Sequence, residues 1–500
     1  MTMRAFPIPV IAVFLFACGT MDVAPVRPVA RIAVGDEGPA QPVLSKKTIP
    51  KDRSAFREGI PGESEPAPGH ALWSRRFGGV GSNMGVSIAA TSDGGMYVLG
   101  QFSQTMDIGP ATTHKSAGLE DVFLMKLDRN GDSLWSRSFG GKSHDYADHV
   151  VVDASGDIFI TGSFMEKIDF GGKTHRCRGV HDVFVAKLDG DGNYLWSKAY
   201  GDRQDQICLR PLPSGDGGVF LAGYFRGVVN LGGKPHRSYP DKAAFVGRLD
   251  AGGKRVWSEQ FGHIFDYAMP GLALVANGDL IYGGGSDPTV EFTGKRMKRI
   301  ERMADLGVVV ARYDASGKRM WRKRFGSGSD NLHTEVALGP YGDIVVAGSF
   351  GGTVNFGGEE IKSGSMSDIY VAALDPEGRH LWSRNFGGGR YQYLSGLAVD
   401  GEGNTYIAGQ FMGGNIDFGG EPLVSEKSND GAFMARLDGA GAHVWSRSFE
   451  GGSLRFPGGI ALDSGGDVLV CGSFSDWIDL GNGPLTSAGH HDVFVARIRH

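Results

Sequence analysis

From residue 71 onward the chain is written in short apolar stretches separated by turns rich in Asp and Gly. Ile158-Phe159-Ile160-Thr161-Gly162-Ser163-Phe164 and Asp182-Val183-Phe184-Val185-Ala186-Lys187-Leu188-Asp189 are representative. Runs this short, rich in β-branched and aromatic residues and bounded by Asp/Gly turns, predict antiparallel strands rather than helices. Four kinds of run recur in a fixed order. The first resembles Leu397-Ala398-Val399-Asp400 or Ile460-Ala461-Leu462-Asp463, and the second is the Ile158 type. A longer link such as Ile168-Asp169-Phe170-Gly171-Gly172 leads to the third, the Asp182 type. A tight turn such as Asp314-Ala315-Ser316-Gly317 then leads to the fourth, an apolar residue followed by Trp, usually Ser, and an aromatic four positions after the Trp.

The fourth run occurs at Trp73, Trp135, Trp196, Trp257, Trp321, Trp382 and Trp445, with successive spacings of 62, 61, 61, 64, 61 and 63. A long fixed period marks a repeat architecture, and four-stranded meanders repeated about an axis make a β-propeller. The array opens with a lone Trp strand, Leu72 to Phe77, and ends on a third strand, Asp492 to Ile498, with no Trp strand after it. The expectation is therefore an all-β, single seven-bladed β-propeller of four-stranded antiparallel blades, the last blade closed by the N-terminal Trp strand. That closure puts the fourth strand outermost and the first strand on the axis. Pro211 and Pro213 in the third copy's first strand agree, because two prolines at i and i+2 are tolerable only on a sheet edge.

The stretches Asp153 to Gly162 and Asp400-Gly401-Glu402-Gly403-Asn404-Thr405-Tyr406-Ile407-Ala408-Gly409 resemble the D-x-x-G-N-x-Y-V-x-G motif of the bacterial seven-bladed β-propeller repeats (SBBP) of secreted and surface proteins. The resemblance covers about residues 71–500 and implies the propeller fold and an exported location; it implies no reaction.

Ahead of the repeats the chain changes character. Arg4, the apolar run Val10 to Phe16 and then Ala17-Cys18-Gly19 read as a secretory signal. Leu15-Phe16-Ala17-Cys18 resembles the bacterial lipobox, which implies that Cys18 is diacylated, and Gly19 after it implies the outer membrane. Eight of the 22 prolines lie between Pro25 and Pro68, a composition that buries too little apolar surface to order itself. The predicted organisation is a signal peptide over 1–18, a disordered tether over 19–70 and the propeller over 71–500.

Composition narrows the function classes. Gly contributes 80 of 500 residues without a collagen period, and the net charge of −5 gives no electrostatic case for nucleic acid. Beyond Cys18 the cysteines are Cys177, Cys208 and Cys471. An odd number gives no disulfide framework, although Cys177 and Cys208 fall near the same end of adjacent repeats. Cys471 stands where other copies carry Leu99, Thr161, Ala222, Gly283, Ala347 and Ala408, as a small core residue. The Asp189-Gly190-Asp191-Gly192-Asn193 turn tempts a calcium reading, but its equivalents Ala251-Gly252-Gly253 and Gly439-Ala440-Gly441 cannot supply carboxylates. Asp128-x-x-Gly131-x-x-x-Trp135 looks like the tryptophan-docking motif of quinoprotein propellers, with a turn one residue shorter and no vicinal Cys pair. No cofactor or metal is expected.

Recurring residues are scaffold, so chemistry is sought where the copies differ. The tight turns of all blades share one face, while the variable links share the other, and that face is the candidate. At one register of the axial strand the copies read Ser87, His149, Arg210, Gly271, Glu335, Gly396 and Gly459, a ring placed at the channel mouth. His149 and Glu335 have the chemistry of an acid–base pair and Arg210 that of an anion holder; a hydrated ion-pair lining is the plainer reading. Single Ala substitutions there are expected to weaken ligand binding and to shift stability within about ±0.5 kcal/mol. Copy four carries the basic run that includes Arg296, Lys298 and Arg299, able to dock an anionic group. Trp477 occupies a position held elsewhere by Thr105, Lys167, Val228, Thr289, Thr353 and Asn415, with Tyr146, Phe265, Tyr267, Tyr391, Tyr393 and Phe456 on nearby links. No Ser-His-Asp spacing, phosphate loop or HExxH motif is present. The expected function is a lipid-anchored, non-catalytic binding scaffold for an envelope protein or a glycan, touching the membrane only through its lipid. A polysaccharide lyase or hydrolase working at the channel mouth, or a purely structural surface protein, are the alternatives.

Overall fold

Why the second and third runs of each copy are apolar on both faces follows from where they sit. In the second copy Asp145–Val152, Ile158–Phe164, Asp182–Leu188 and Tyr194–Tyr200 pair antiparallel in chain order as one sheet. All residues of its two middle strands are buried, because each sheet is covered by a neighbour on both sides. The computed structural model describes residues 66–109, 112–204, 206–238, 242–264, 270–286, 307–326, 331–425, 431–452, 454–455 and 459–500. Over these residues the chain forms seven such sheets, each ordered first, second, third, fourth strand; the last has its first strand in two pieces, Leu454–Arg455 and Ile460–Leu462. Every first strand touches the first strands of the sheets before and after it, and that of the last sheet touches that of the first, so the blades close around an axis. The apolar core is divided accordingly into seven clusters, each built from two neighbouring blades. Phe139 and Phe170, for example, meet at 5.2 Å between ring centroids.

The repeated tryptophan joins one blade to the next. A Cβ placed on Gly131, Gly192, Gly253, Gly317, Gly378 or Gly441 would collide with the indole of the preceding blade's Trp, and each of these glycines has positive φ. Asp opens each of these turns and Gly provides its left-handed residue; the Trp then needs that residue to have no side chain. Trp73, Trp196, Trp321 and Trp382 also donate their indole N–H to the turn carbonyls of Arg129, Ala251, Pro376 and Gly439. The tryptophans are scaffold.

The ring is closed by the N-terminal Trp strand. Ala71–Phe77 pairs antiparallel with Asp492–Ile498 and is the outermost strand of the seventh blade. The turn between these two strands is made from both chain ends. In an intact turn the Asp128 N–H donates to Asp132 O and the Gly131 N–H to Asp128 O. In the seventh blade the Arg499 N–H donates to His70 O and the Gly69 N–H to Arg499 O, both at 2.9 Å. Gly69 has φ +80° and packs against Trp445, as the turn glycines do elsewhere. Arg499 Nη1 reaches Pro66 O at 2.9 Å. Among the described residues, contacts of the ring reach back to Pro66, the first of them.

Gln206–Pro213, which carries Pro211 and Pro213, is an axial edge strand paired only with Val219–Phe225. Cys471 is fully buried, as a small core residue should be. Cys177 is unpaired, its thiol donating toward Gly179 O and Asp182 Oδ1.

Candidate functional site

The strand pairing confirms which residues share a level of the channel. Ser87, His149, Arg210, Gly271, Glu335 and Gly396 lie opposite Leu99, Thr161, Ala222, Gly283, Ala347 and Ala408. Each sits in the middle of its strand wherever that strand is full length, as His149 does in Asp145–Val152 and Glu335 in Asn331–Leu338. The ring therefore lines the channel at mid-depth, not at its mouth.

Its charged members are joined. Arg210 donates Nη1–H to Glu335 Oε1 at 2.5 Å, and His333 Nε2 lies 2.8 Å from the same oxygen. The Glu335 side chain is 6% exposed and that of Arg210 is 22% exposed. Arg210 belongs to the third blade and Glu335 to the fifth, so the pair spans the fourth. Gly271 makes this possible: a Cβ there would fall 2.5 Å from Val336 N and 2.9 Å from Glu335 Cα, so the fourth blade presents only backbone at this level.

Electrostatics follow from that pairing. Burial alone would raise the Glu335 carboxyl, but Arg210 and His333 outweigh it and hold the group down at about 2. His149 is driven the other way from a charged state: burial first, then Arg210 and His333, depress it to about 3 against the pull of Glu335. Its Nε2 is shielded from solvent and has no hydrogen-bond partner. At neutral pH the cluster thus consists of a fixed guanidinium–carboxylate pair and a neutral imidazole. Glu335 is locked as a base already in use, so the expectation of freely working groups, removable without cost to the fold, is corrected: the carboxylate is buried and depends on its partner. Ser87 is likewise occupied, its Oγ accepting the Val150 N–H at 3.1 Å.

His333 escaped the sequence reading because only one register was compared. It lies two residues before Glu335, on the same face of a strand, at the level where the pairing of other blades aligns Met84, Tyr146 and Tyr393. A second omission is a set of Ser–His contacts. The Ser after the Trp meets a His Nε2 in His114–Ser136, His175–Ser197 and His236–Ser258, at 2.7, 2.7 and 2.8 Å, always 22 residues apart. His380–Ser383 and His443–Ser446 repeat it at 3.1 and 3.0 Å. Burial lowers the three upstream histidines, keeping them neutral. The geometry is that of a nucleophile and its base, but recurrence in five blades makes it a latch on the outer strand.

Trp477 is 41% exposed. It opens a hairpin, Trp477–Asp479 with Pro484–Thr486, that pairs with the extended outermost strand of the sixth blade. Asp476, immediately before this hairpin, has φ 60°. Trp477 therefore stands on the outer rim, separated from the channel cluster by the width of a blade. Tyr391 and Tyr393 stack at 6.0 Å near the start of an axial strand, and Tyr146 stacks on His144 at 5.7 Å. Cys18, Arg296, Lys298, Arg299, Phe265, Tyr267 and Phe456 lie outside the described residues.

The Asp-rich turns use their carboxylates internally. Asp189 Oδ1 accepts the N–H groups of Asp191 and Asn193 at 3.0 and 2.8 Å, the pattern of an Asx turn. Among the described residues no three His, Cys, Asp or Glu side chains converge as metal ligands.

No protein-family profile matches the chain. An uncharacterised WD repeat-containing protein of Acanthamoeba polyphaga mimivirus is 19% identical over 81% of this chain and 36% of its own length. A regulatory protein, FlaEY, of Caulobacter vibrioides is 29% identical over 41% of this chain and 20% of its own length. The chain thus spans about a third and a fifth of these relatives. Among solved structures, a PL25 polysaccharide lyase acting on ulvan aligns with TM-score 0.42 and 13% identity over 85% of this chain and 96% of that one. A gluconolactonase of Xanthomonas campestris aligns with TM-score 0.32 and 13% identity, covering 68% and 88%.

Proposed function

We propose that this propeller is a non-catalytic binding scaffold, held at a bacterial outer membrane by a lipid on Cys18, which takes a protein or glycan partner on the face of its variable links. The observation that carries the reading is the state of the channel. A general acid or base works best with a pKa near the operating pH. Glu335 at about 2 and His149 at about 3 are both far from it, and Arg210 is already spent on Glu335. Trp477 supports a binding role instead, since a large aromatic on a frame-held hairpin offers contact area at little entropic cost.

Binding to arrayed neutral and anionic glycans and to a solubilised envelope fraction tests this, with a parallel assay for newly cleaved chains. Retention without product is expected, and Trp477→Ala should weaken it by about 30-fold, the effect of a hot spot worth ~2 kcal/mol, with an unchanged melting temperature. Cleavage products lost in His149→Ala would establish the lyase or hydrolase reading in its place. For the anchor, Cys18→Ser should move the protein from the membrane pellet to the soluble fraction or leave unprocessed precursor. Labelled palmitate still entering the variant would rule the lipid on Cys18 out.

A further inference from the structure

Six of the seven first strands pair, at one register, with a recurring Phe of the second strand. The residues there are Asn83, Asp145, Gln206, Asn331, Gln392 and Leu454. Four carry an amide; the second blade alone carries an acid. Across the blade interface this residue faces the Asp that begins the buried part of the preceding blade's third strand: Asp492, Asp121, Asp182 and Asp368 in the blades concerned, all at most 3% exposed.

These aspartates have a constant role. One oxygen, Oδ2, accepts the backbone N–H four residues earlier, from Ala488, Ala117, Arg178 and Gly364. The other, Oδ1, is met by a donor. Asn83 Nδ2 donates to Asp492 at 3.3 Å, Cys177 Sγ to Asp182 at 3.7 Å, and Ser365 Oγ to Asp368 at 2.5 Å. The amide orientation of Gln392 that satisfies both its ends adds a donor to Asp368 at 3.1 Å.

At the joint between the first and second blades the pattern breaks. Asp121 Oδ1 is buried without a donor, and so is Asp145 Oδ1, while Asp145 Oδ2 accepts the Gly141 N–H at 2.7 Å. Both carboxyls converge on Gly140: a Cβ there would lie 2.5 Å from Asp121 Oδ1 and 2.9 Å from Asp145 Oδ2. Ser138 stands where, one blade earlier, Arg76 pairs with Asp492 at 2.7 Å. The charged groups acting on Asp145 are the carboxylates of Asp121 and Glu166. Beside them Glu120 Oε2 contacts His144 Nδ1.

We propose that Asp145 stands in for the missing amide as a neutral carboxylic acid, its Oδ1–H donated to Asp121 Oδ1, so that one buried proton holds the first and second blades together. Like charges this close cannot both ionise without cost. The proton comes from solvent as the chain folds and no other bond changes. Burial, with Asp121 and Glu166, raises the Asp145 carboxyl to about 8. The folded chain thus holds this proton more tightly than the unfolded chain does. Stability from this joint is complete below the ordinary carboxyl pKa, falls as pH rises, and levels off above about 8. Asp145 is fully buried, so the group is a seam within the ring and is closed to substrate.

Melting curves of the full chain from about pH 5 to about pH 9 test the seam. Wild type should lose several degrees over this range relative to Asp145→Asn, which restores the amide of the sister joints and should melt higher at pH 9. Asp121→Asn, supplying the donor from the other side, should flatten the profile in the same way. The infrared C=O band of a protonated carboxyl should be present in wild type at pH 6 and lost in Asp145→Asn. Parallel profiles for wild type and both variants would overturn the shared proton. So would a rise in the melting temperature of wild type alone on adding calcium at pH 9, which would assign the two carboxylates to a cation.

Discussion

Arg210→Ala is expected to destabilise the propeller by about 3–5 kcal/mol, read as a lower urea midpoint at unchanged slope, because it strands a buried carboxylate. Glu335 has 6% of its side chain exposed and cannot reach water in place of the lost guanidinium. His333 remains 2.8 Å away but is charged only when protonated. Removing both partners should cost far less: Arg210→Met with Glu335→Leu replaces an expensive desolvated pair by apolar contacts. The pH dependence of the pair has a definite sign. Glu335 is held below its unfolded value, so its contribution is present above about pH 4 and is lost as pH falls toward 2. A loss below about 1 kcal/mol in Arg210→Ala, as for a solvent-exposed pair, would mean that water enters the channel and screens the cluster.

Deleting residues 71–77 is expected to abolish the single cooperative melt. The strand carries the buried Ala71 and Phe77 and half-buried Trp73, and truncating a large aromatic costs about 3–5 kcal/mol where it is well packed. Two such losses approach the whole stability of a typical domain, about 5–15 kcal/mol. The deletion also bares the hydrogen-bonding edge of Asp492–Ile498, so aggregation should accompany unfolding. Deleting residues 19–60, which precede the first described residue, should leave the melt in place. Equal and small effects of the two deletions, by calorimetry, would show that the ring does not depend on its clasp.

Much of this architecture is legible in the sequence because a repeat supplies its own internal controls. Seven Trp strands against a lone opening copy and a missing closing copy dictate seven blades and a clasp. Pro211 and Pro213 dictate which strand lines the axis. The candidate site is harder to read, because its contacts obey the axis and not the chain. Arg210 and Glu335 are 125 residues apart and meet only because Gly271, one blade between them, has no side chain. Depth in the channel depends on bulges placed differently in different blades, at 85/87 and 147/149 in two of them but at 331/333 in another. That same variation hides the acid at Asp145 among amides at the equivalent positions. His333 needed the period-two rule applied one step beyond the register compared.

The turn shared by the two chain ends sets the order in which the molecule is made. Ala71 pairs with Ile498, so the first strand of the ring to be made, among those described, waits for the last. At about 5–20 residues per second, the roughly 430 residues between them take on the order of 20–90 s to synthesise. Through that interval Ala71–Phe77 has no partner strand, and each newly made blade leaves one flank open until the next is added. Most blade-to-blade contacts lie between consecutive repeats and can form as they emerge, whereas the seventh blade and its joint with the first belong to the end of synthesis. The nascent propeller is therefore an open arc whose vulnerable period ends with the arrival of its final residues.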